Sequence, residues 1–314
     1  MPVASASAAS TSKLLIQALG LVEEIGYLKT FIGDWIESSD PEVRELLNWQ
    51  FLGNSKYFRP VTVFACYKAV NPEPIDAKII RSAAALEIVH NVSLIIDDIL
   101  DRSRHRRGKL TLHCRFGSLP ALMTAGYITS SVFEIIRQDT YDVKLIANLI
   151  KRLGVAECMQ WRLRREPLGV EDWRELAGED TGSMFETCAC LGTRGEKMRT
   201  YGRLLGILYH GCDDLADVRG AEALGGGGYE DVRDGILTLP AAIAIRDPAV
   251  AVQFRNPTKD GVKFLKHKLE SALPEAERYL NSIAEDAARE ANTMALNPEP
   301  LITLIQHTRR LSKS

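Results

Sequence analysis

Residues 83–101 read AAALEIVHNVSLIIDDILD. Small and aliphatic side chains fall on nearly every face at a helical period, which marks a helix buried inside a bundle. Yet the run ends in Asp97, Asp98 and Asp101. Carboxylates at the end of a buried helix cost free energy unless a cation neutralises them, and at a C-terminus they also oppose the helix dipole. A second apolar segment, Lys197–Val218, ends the same way in Asp213, Asp214 and Asp217. In each D-D-x-x-D group the first and last aspartates are four apart and share one helical face. One such group alone could be a solvated helix end. Two of them, on two apolar helices, predict oxygen-only ligand sets facing a cavity. Mg²⁺ takes such ligands when it sits between carboxylates and a substrate's phosphates.

Outward from these segments the chain reads as all-α. Helical periodicity covers Leu14–Ile36, Glu42–Leu52, Arg59–Val70, Ala77–Leu100, Pro120–Arg137, Val143–Arg164, Val170–Leu191, Lys197–Val218, Pro240–Ile245, Lys259–Leu273, Pro274–Ala295 and Glu299–Leu311. β-Alternation is scarce, and the run Gly225–Gly228 cannot hold a helix. Residues 1–12 are small and polar and read as a disordered tail, leaving 13–314 as one helical domain. With 314 residues and 46% hydrophobic composition the chain can bury a large core. Its 39 Lys+Arg against 41 Asp+Glu give a net charge of −2, which argues against a nucleic-acid partner held by bulk electrostatics. Without a run of about 20 uninterrupted apolar residues, no membrane span is expected. Six cysteines lack a C-x-x-C pair, which suits a reduced, cytoplasmic protein without structural zinc.

The first aspartate group continues through Arg102, Arg104 and His105 into Arg106-Arg107-Gly108. That is an exposed basic loop or, in function, a pair of guanidinium forks for phosphate oxygens. The segment Leu86–Asp98 with Arg106-Arg107-Gly108 resembles the first aspartate-rich motif of the trans-isoprenyl diphosphate synthases, the polyprenyl synthetases. The likeness extends to Lys56-Tyr57-Phe58-Arg59-Pro60, to Gln160, to Thr181-Gly182-Ser183-Met184-Phe185, to Asp213–Asp217 and to Thr238-Leu239-Pro240.

The resemblance implies an isoprenoid synthase-type helical bundle around a deep central cavity, in a homodimer. It implies three Mg²⁺ ions bound with an allylic diphosphate through Asp97, Asp101 and Asp213, with Asp98, Asp214 and Asp217 supporting them. It implies further that Lys56, Arg59, His90 and Arg107 hold the diphosphate of isopentenyl diphosphate. Arg106 would face the allylic diphosphate, and Gln160, Thr181 and His210 would bind substrate. Val92 and Ser93 stand where the family often places an aromatic cavity floor, so products of C15–C20 or longer are expected. Tyr127, Phe133, Met159, Trp161 and Phe185 are candidate walls of that cavity.

The chain also departs from the family. Two lysines that touch the allylic diphosphate in it are Asp180 and Ile236 here, and a glutamine before the second aspartate group is His210. Arg233, Arg219, Arg309, Arg310 and Lys313 are the candidate replacement cations. Three functions therefore stay open: condensation of an allylic prenyl diphosphate with isopentenyl diphosphate or another phosphorylated acceptor, cyclisation of one C15–C20 diphosphate, or a weakly active regulatory subunit.

Overall fold

The computed structural model describes residues 8–51, 55–106, 108–220, 231 and 234–312. The helices in chain order are α1 (Ala8–Ala18), α2 (Val22–Ser38), α3 (Pro41–Phe51), α4 (Phe58–Val70), α5 (Ala77–Leu100), α6 (Leu112–Phe116), α7 (Ser118–Ile136) and α8 (Thr140–Arg162). They continue as α9 (Val170–Glu179), α10 (Thr181–Thr193), α11 (Arg199–Arg219), α12 (Leu239–Ala244), α13 (Pro248–Arg255), α14 (Lys259–Met294) and α15 (Glu299–Leu311). The strands among the described residues are β1 (His105–Arg106) and β2 (Lys109–Leu110), an antiparallel pair with Arg106 opposite Lys109.

Helix ends follow local chemistry. Asp76 caps α5 by accepting from the Ile79 amide at 2.9 Å, and Asp139 caps α8 by accepting from Tyr141 and Asp142. Asp247 caps α13 ahead of Pro248. Asp247–Asn256, expected to break the helical pattern, therefore contains a helix. Leu14–Ile36, expected to be continuous, is cut at Leu19–Leu21, where Gly20 takes φ +59°. Lys259–Met294 is one helix with Pro274 inside it, where two were expected. Ala8–Ser12, expected in the loose tail, begin α1.

The core is one cluster drawn from almost every helix. Helix α5 runs through its middle, with Ala83–Asn91 buried without interruption. Its neighbours include α4, α7, α8 and α10, and α10 in turn packs along α11. At that crossing a Cβ on Gly206 would stand 2.6 Å from the Gly182 Cα and 2.7 Å from the Thr181 oxygen. This close approach presses the start of α10 against α11 one turn before His210.

Ala77–Leu100 and Ser118–Ile136 are long and apolar enough, by length and composition alone, to cross a membrane. The first is a core helix with most of its apolar window buried. The second leaves Leu119, Leu122 and Met123 exposed.

Candidate active site

The break between α9 and α10 positions the chemistry. Val170–Leu191 has the pattern of one helix, but Asp180 leaves helical geometry at φ −80°, ψ −100°. The break turns Asp180 and Thr181 into a cavity of about 340 Å³. Val89, Val92, Ile96, Ile150, Leu153 and Met184 give it an aliphatic lining, and Asp97, Glu157 and Asp180 supply its acids. Arg59, His90, Ser93, Gly154 and Thr181 complete the polar and small surface.

Asp97 lies in this cavity. Burial, with Glu157, Asp180 and Asp101 nearby, holds its carboxyl well above the ordinary range, against the pull of Arg106. Burial with Asp180 and Asp101 likewise pushes Glu157 up to about 7. Glu157 precedes Gln160 by three on α8 and so shares its side of the helix. The residue that lines the cavity is Glu157 rather than Gln160. That i, i+3 spacing was the available signal in the sequence.

Asp98 faces away from Asp97. It lies buried in a narrow cleft on the other side of α5 with Glu87, Asn91, Lys109 and Arg106. Arg106 Nε donates to Asp98 Oδ1 at 2.8 Å. The pair thus anchors the basic hairpin to α5, and Arg106 reaches the cavity only through its field on Asp97. Asp101 ends the helix with a half-exposed carboxylate, to which Arg164 Nη2 donates at 3.0 Å. Arg107, like the candidate replacement cations Arg233 and Lys313, lies outside the described residues.

On the second cluster, Asp214 is an anchor. Its Oδ2 accepts from Trp173 Nε1 and from the Leu239 amide, each at 2.8 Å, tying α11 to α9 and α12. Asp213 is exposed at its surface, yet the protein packed around it, with Asp214 and Asp217, pushes its carboxyl up to about 6. His210 and Lys56 act on it in the opposite sense. Asp217 is buried beside them. Asp231, not anticipated from the sequence, joins this group and is pushed up to about 7 by burial, Asp217, Asp214 and Asp213.

His210 connects the clusters. Its Nδ1 lies 3.0 Å from the Thr181 hydroxyl and 3.6 Å from Asp180 Oδ2, and its Nε2 lies 3.9 Å from Asp214 Oδ1. Burial alone would pull the imidazole down, but Asp214, Asp180, Asp213 and Asp231 hold it above its ordinary value. Asp180 therefore feels Asp97 and Glu157 on one side and His210 on the other.

Arg59 and His90 meet inside the cavity, with Nη1 and Nε2 2.9 Å apart. A guanidinium only donates, so His90 accepts at Nε2 and carries its proton on Nδ1. His90 thereby aims Arg59, whose guanidinium also rests 5.7 Å from the Phe185 ring centre. Phe185 belongs to an aromatic cluster with Phe58 and Tyr209 behind Arg59. It is not a cavity wall, and neither are Tyr127, Phe133, Met159 and Trp161. Trp161 is mostly exposed and the Tyr127 hydroxyl accepts from the Asp40 amide. Of the candidate replacement cations, Arg219 and Arg309 are both bound to Glu277. Arg310 is exposed.

Among the described residues no three of His, Cys, Asp and Glu converge tightly enough to hold a metal ion unaided. The donors are hard carboxylate oxygens crowded until their proton affinities rise, which suits Mg²⁺ that completes its shell with water and phosphate.

The chain matches the family model described as Polyprenyl synthetase over residues 40–268. It is 28% identical over 226 residues to geranylgeranyl pyrophosphate synthase 4 of Arabidopsis thaliana, covering 65% of this chain and 60% of that one. It is 24% identical over 282 residues to the nonaprenyl diphosphate synthase of Mycobacterium tuberculosis, covering 84% of each. The heptaprenyl diphosphate synthase of Staphylococcus aureus superposes with a TM-score of 0.84 at 19% identity, over 93% of this chain and 98% of that one, and so shares the fold. An all-α bundle, two aspartate groups meeting at Asp180 and a family match over most of the length lead to one conclusion: this chain belongs to the polyprenyl synthetase family of prenyltransferases.

Proposed function

We propose that the chain ionises an allylic prenyl diphosphate with the help of Mg²⁺ and condenses it with isopentenyl diphosphate to a longer isoprenoid diphosphate. The observation that carries this reading is the 340 Å³ aliphatic cavity with acids at its mouth and the Arg59–His90 pair within it. Asp97, Asp101 and Asp213 would hold the metal, with Glu157 and Asp231 beside them. Bound there, Mg²⁺ takes up the negative charge that grows on the departing diphosphate. Val89, Val92, Ile96 and Leu153 keep water from the allylic cation. Arg59, aimed by His90, binds the acceptor's diphosphate, with Lys56 near the second cluster. Attack by the acceptor's double bond forms the new C–C bond, and loss of a proton from the acceptor restores the alkene.

The lining favours elongation over cyclisation. Among the described residues no Phe, Tyr or Trp ring lines the cavity, whereas steering a migrating cation through rings draws on such faces. Retention of both aspartate groups weighs against a purely regulatory subunit. The exposed Leu119, Leu122 and Met123 on α7 we assign to a second copy of this chain, giving a homodimer.

The test is a Mg²⁺-dependent product assay with C5, C10, C15 and C20 allylic diphosphates, each with and without isopentenyl diphosphate. Longer diphosphates that require isopentenyl diphosphate support the proposal. Hydrocarbons or alcohols from a single substrate replace it with cyclisation, and no product from any pair overturns catalysis by this chain alone.

A further inference from the structure

The turn that follows α8 carries an arginine pair placed between the two aspartate groups. Arg165 adopts φ +64° and donates its backbone N–H to the Gly235 carbonyl at 2.8 Å. A Cβ on Gly235, itself at φ +77°, would stand 2.4 Å from Arg165 Cγ. The turn is thus clamped to the segment that leads from the second cluster into α12. The clamp sends Arg164 toward the first cluster instead.

Arg164 there donates Nη2 to Asp101 at 3.0 Å, and its guanidinium lies 4.5 Å from the Trp161 ring centre. Its Nε is buried without a hydrogen-bond partner among the described residues. Its charge also acts on Glu157, which lines the cavity. Asp97, Asp101, Glu157 and Asp180 crowd this mouth with negative charge, and a diphosphate arriving there is itself an anion. Arg106 is committed to Asp98 on the other side of α5, and Arg59 to His90 within the cavity. Among the described residues, Arg164 stands beside Asp101 with a buried, unpartnered Nε donor.

Resting on the function proposed above, we propose that Arg164 binds the departing diphosphate of the allylic substrate. It thereby supplies the positive charge that Asp180 and Ile236 do not. A guanidinium offers two parallel N–H donors to phosphate oxygens. Its present ion pair with Asp101, whose side chain is 39% exposed, is cheap to exchange for a more highly charged partner.

Calorimetric titration of inorganic pyrophosphate into the full chain with MgCl₂ tests this, alongside Michaelis constants for the allylic and isopentenyl substrates. Arg164→Gln is expected to weaken pyrophosphate about 10- to 100-fold, the loss of a charge-assisted contact. The allylic KM should rise in parallel while the isopentenyl KM stays within about twofold. Arg164→Lys should recover part of the loss, since a point charge lacks the fork. Asp180→Lys added to Arg164→Gln should recover it from across the rim. Unchanged pyrophosphate affinity in Arg164→Gln overturns the inference while leaving the proposed function standing. An equal rise in both Michaelis constants also overturns it, because it marks a general disturbance of the turn. A wild-type chain that binds no pyrophosphate with MgCl₂ overturns both readings.

Discussion

Asp97 shows how one side chain concentrates the site's electrostatics. It is wedged among Glu157, Asp180 and Asp101 at the mouth of an aliphatic cavity, where an ionised carboxylate is stable only beside a cation. Asp97→Ala should therefore abolish turnover, by about a thousandfold or more, without lowering thermal stability. Full activity in that variant would remove Asp97 from the metal site. The same crowding sets a pH dependence in the metal-free chain. Glu157, Asp213 and Asp231 sit at about 7, 6 and 7 against ordinary values of 4.5, 3.8 and 3.8. The folded state holds these protons more tightly than the unfolded one. The stability they contribute is therefore complete below about pH 4 and lost as pH rises through about 6 to 7. Solvent screening of these partly exposed carboxylates leaves each worth on the order of 1 kcal/mol. In EDTA the wild type should melt higher near pH 5.5 than near pH 8, and Glu157→Gln should flatten the profile. A melting temperature that climbs across that interval would contradict the crowding.

Among elements, the α10–α11 contact matters most. Gly182 and Gly206 let the two helices touch, and the contact seats Thr181 against His210. Gly206→Ala must push the start of α10 away from α11, at about 1–3 kcal/mol by analogy with overpacked cores. Denaturant titration should register that loss, and turnover should fall further than stability explains because Asp180 and Thr181 move with the helix. A variant as stable and active as the wild type would show that the contact yields without cost. The break at Asp180 is equally a property of the packed structure. Its flanking segments are helical by pattern, so periodicity alone predicts one helix. Nothing local marks Asp180 as the corner, because the corner serves α10's approach to α11. The α8 side chain that lines the cavity is Glu157, one turn before Gln160, because pattern fixes a helix face more firmly than a position on it.

At the scale of the whole molecule, two tests apply to the assembled protein. MgCl₂ with pyrophosphate should stabilise the folded chain by RT ln(1 + [L]/Kd), about 2.7 kcal/mol at a hundredfold excess over Kd. MgCl₂ alone should do far less, since among the described residues no three His, Cys, Asp or Glu side chains converge on one ion. Equal stabilisation by both would contradict that arrangement. Light scattering should find the proposed homodimer in the wild type and monomers when Leu122 and Met123 on α7 are replaced by Glu, with the helical content unchanged. An unaltered mass would place the interface elsewhere. The sequence by itself determined the all-α class, the span of α5 from Ala77 to Leu100, the two aspartate groups and the family, because periodicity, apolar content and motif spacing are local properties of the chain. Only the tertiary structure decided that Asp97 and Asp98 face opposite sides of α5 and that Asp180 lies between the clusters. It also decided that His90 aims Arg59 and that Arg164, from a distant turn, reaches Asp101. Those facts depend on which helix faces which, and that is fixed by burial of the whole core at once rather than by any one stretch of residues.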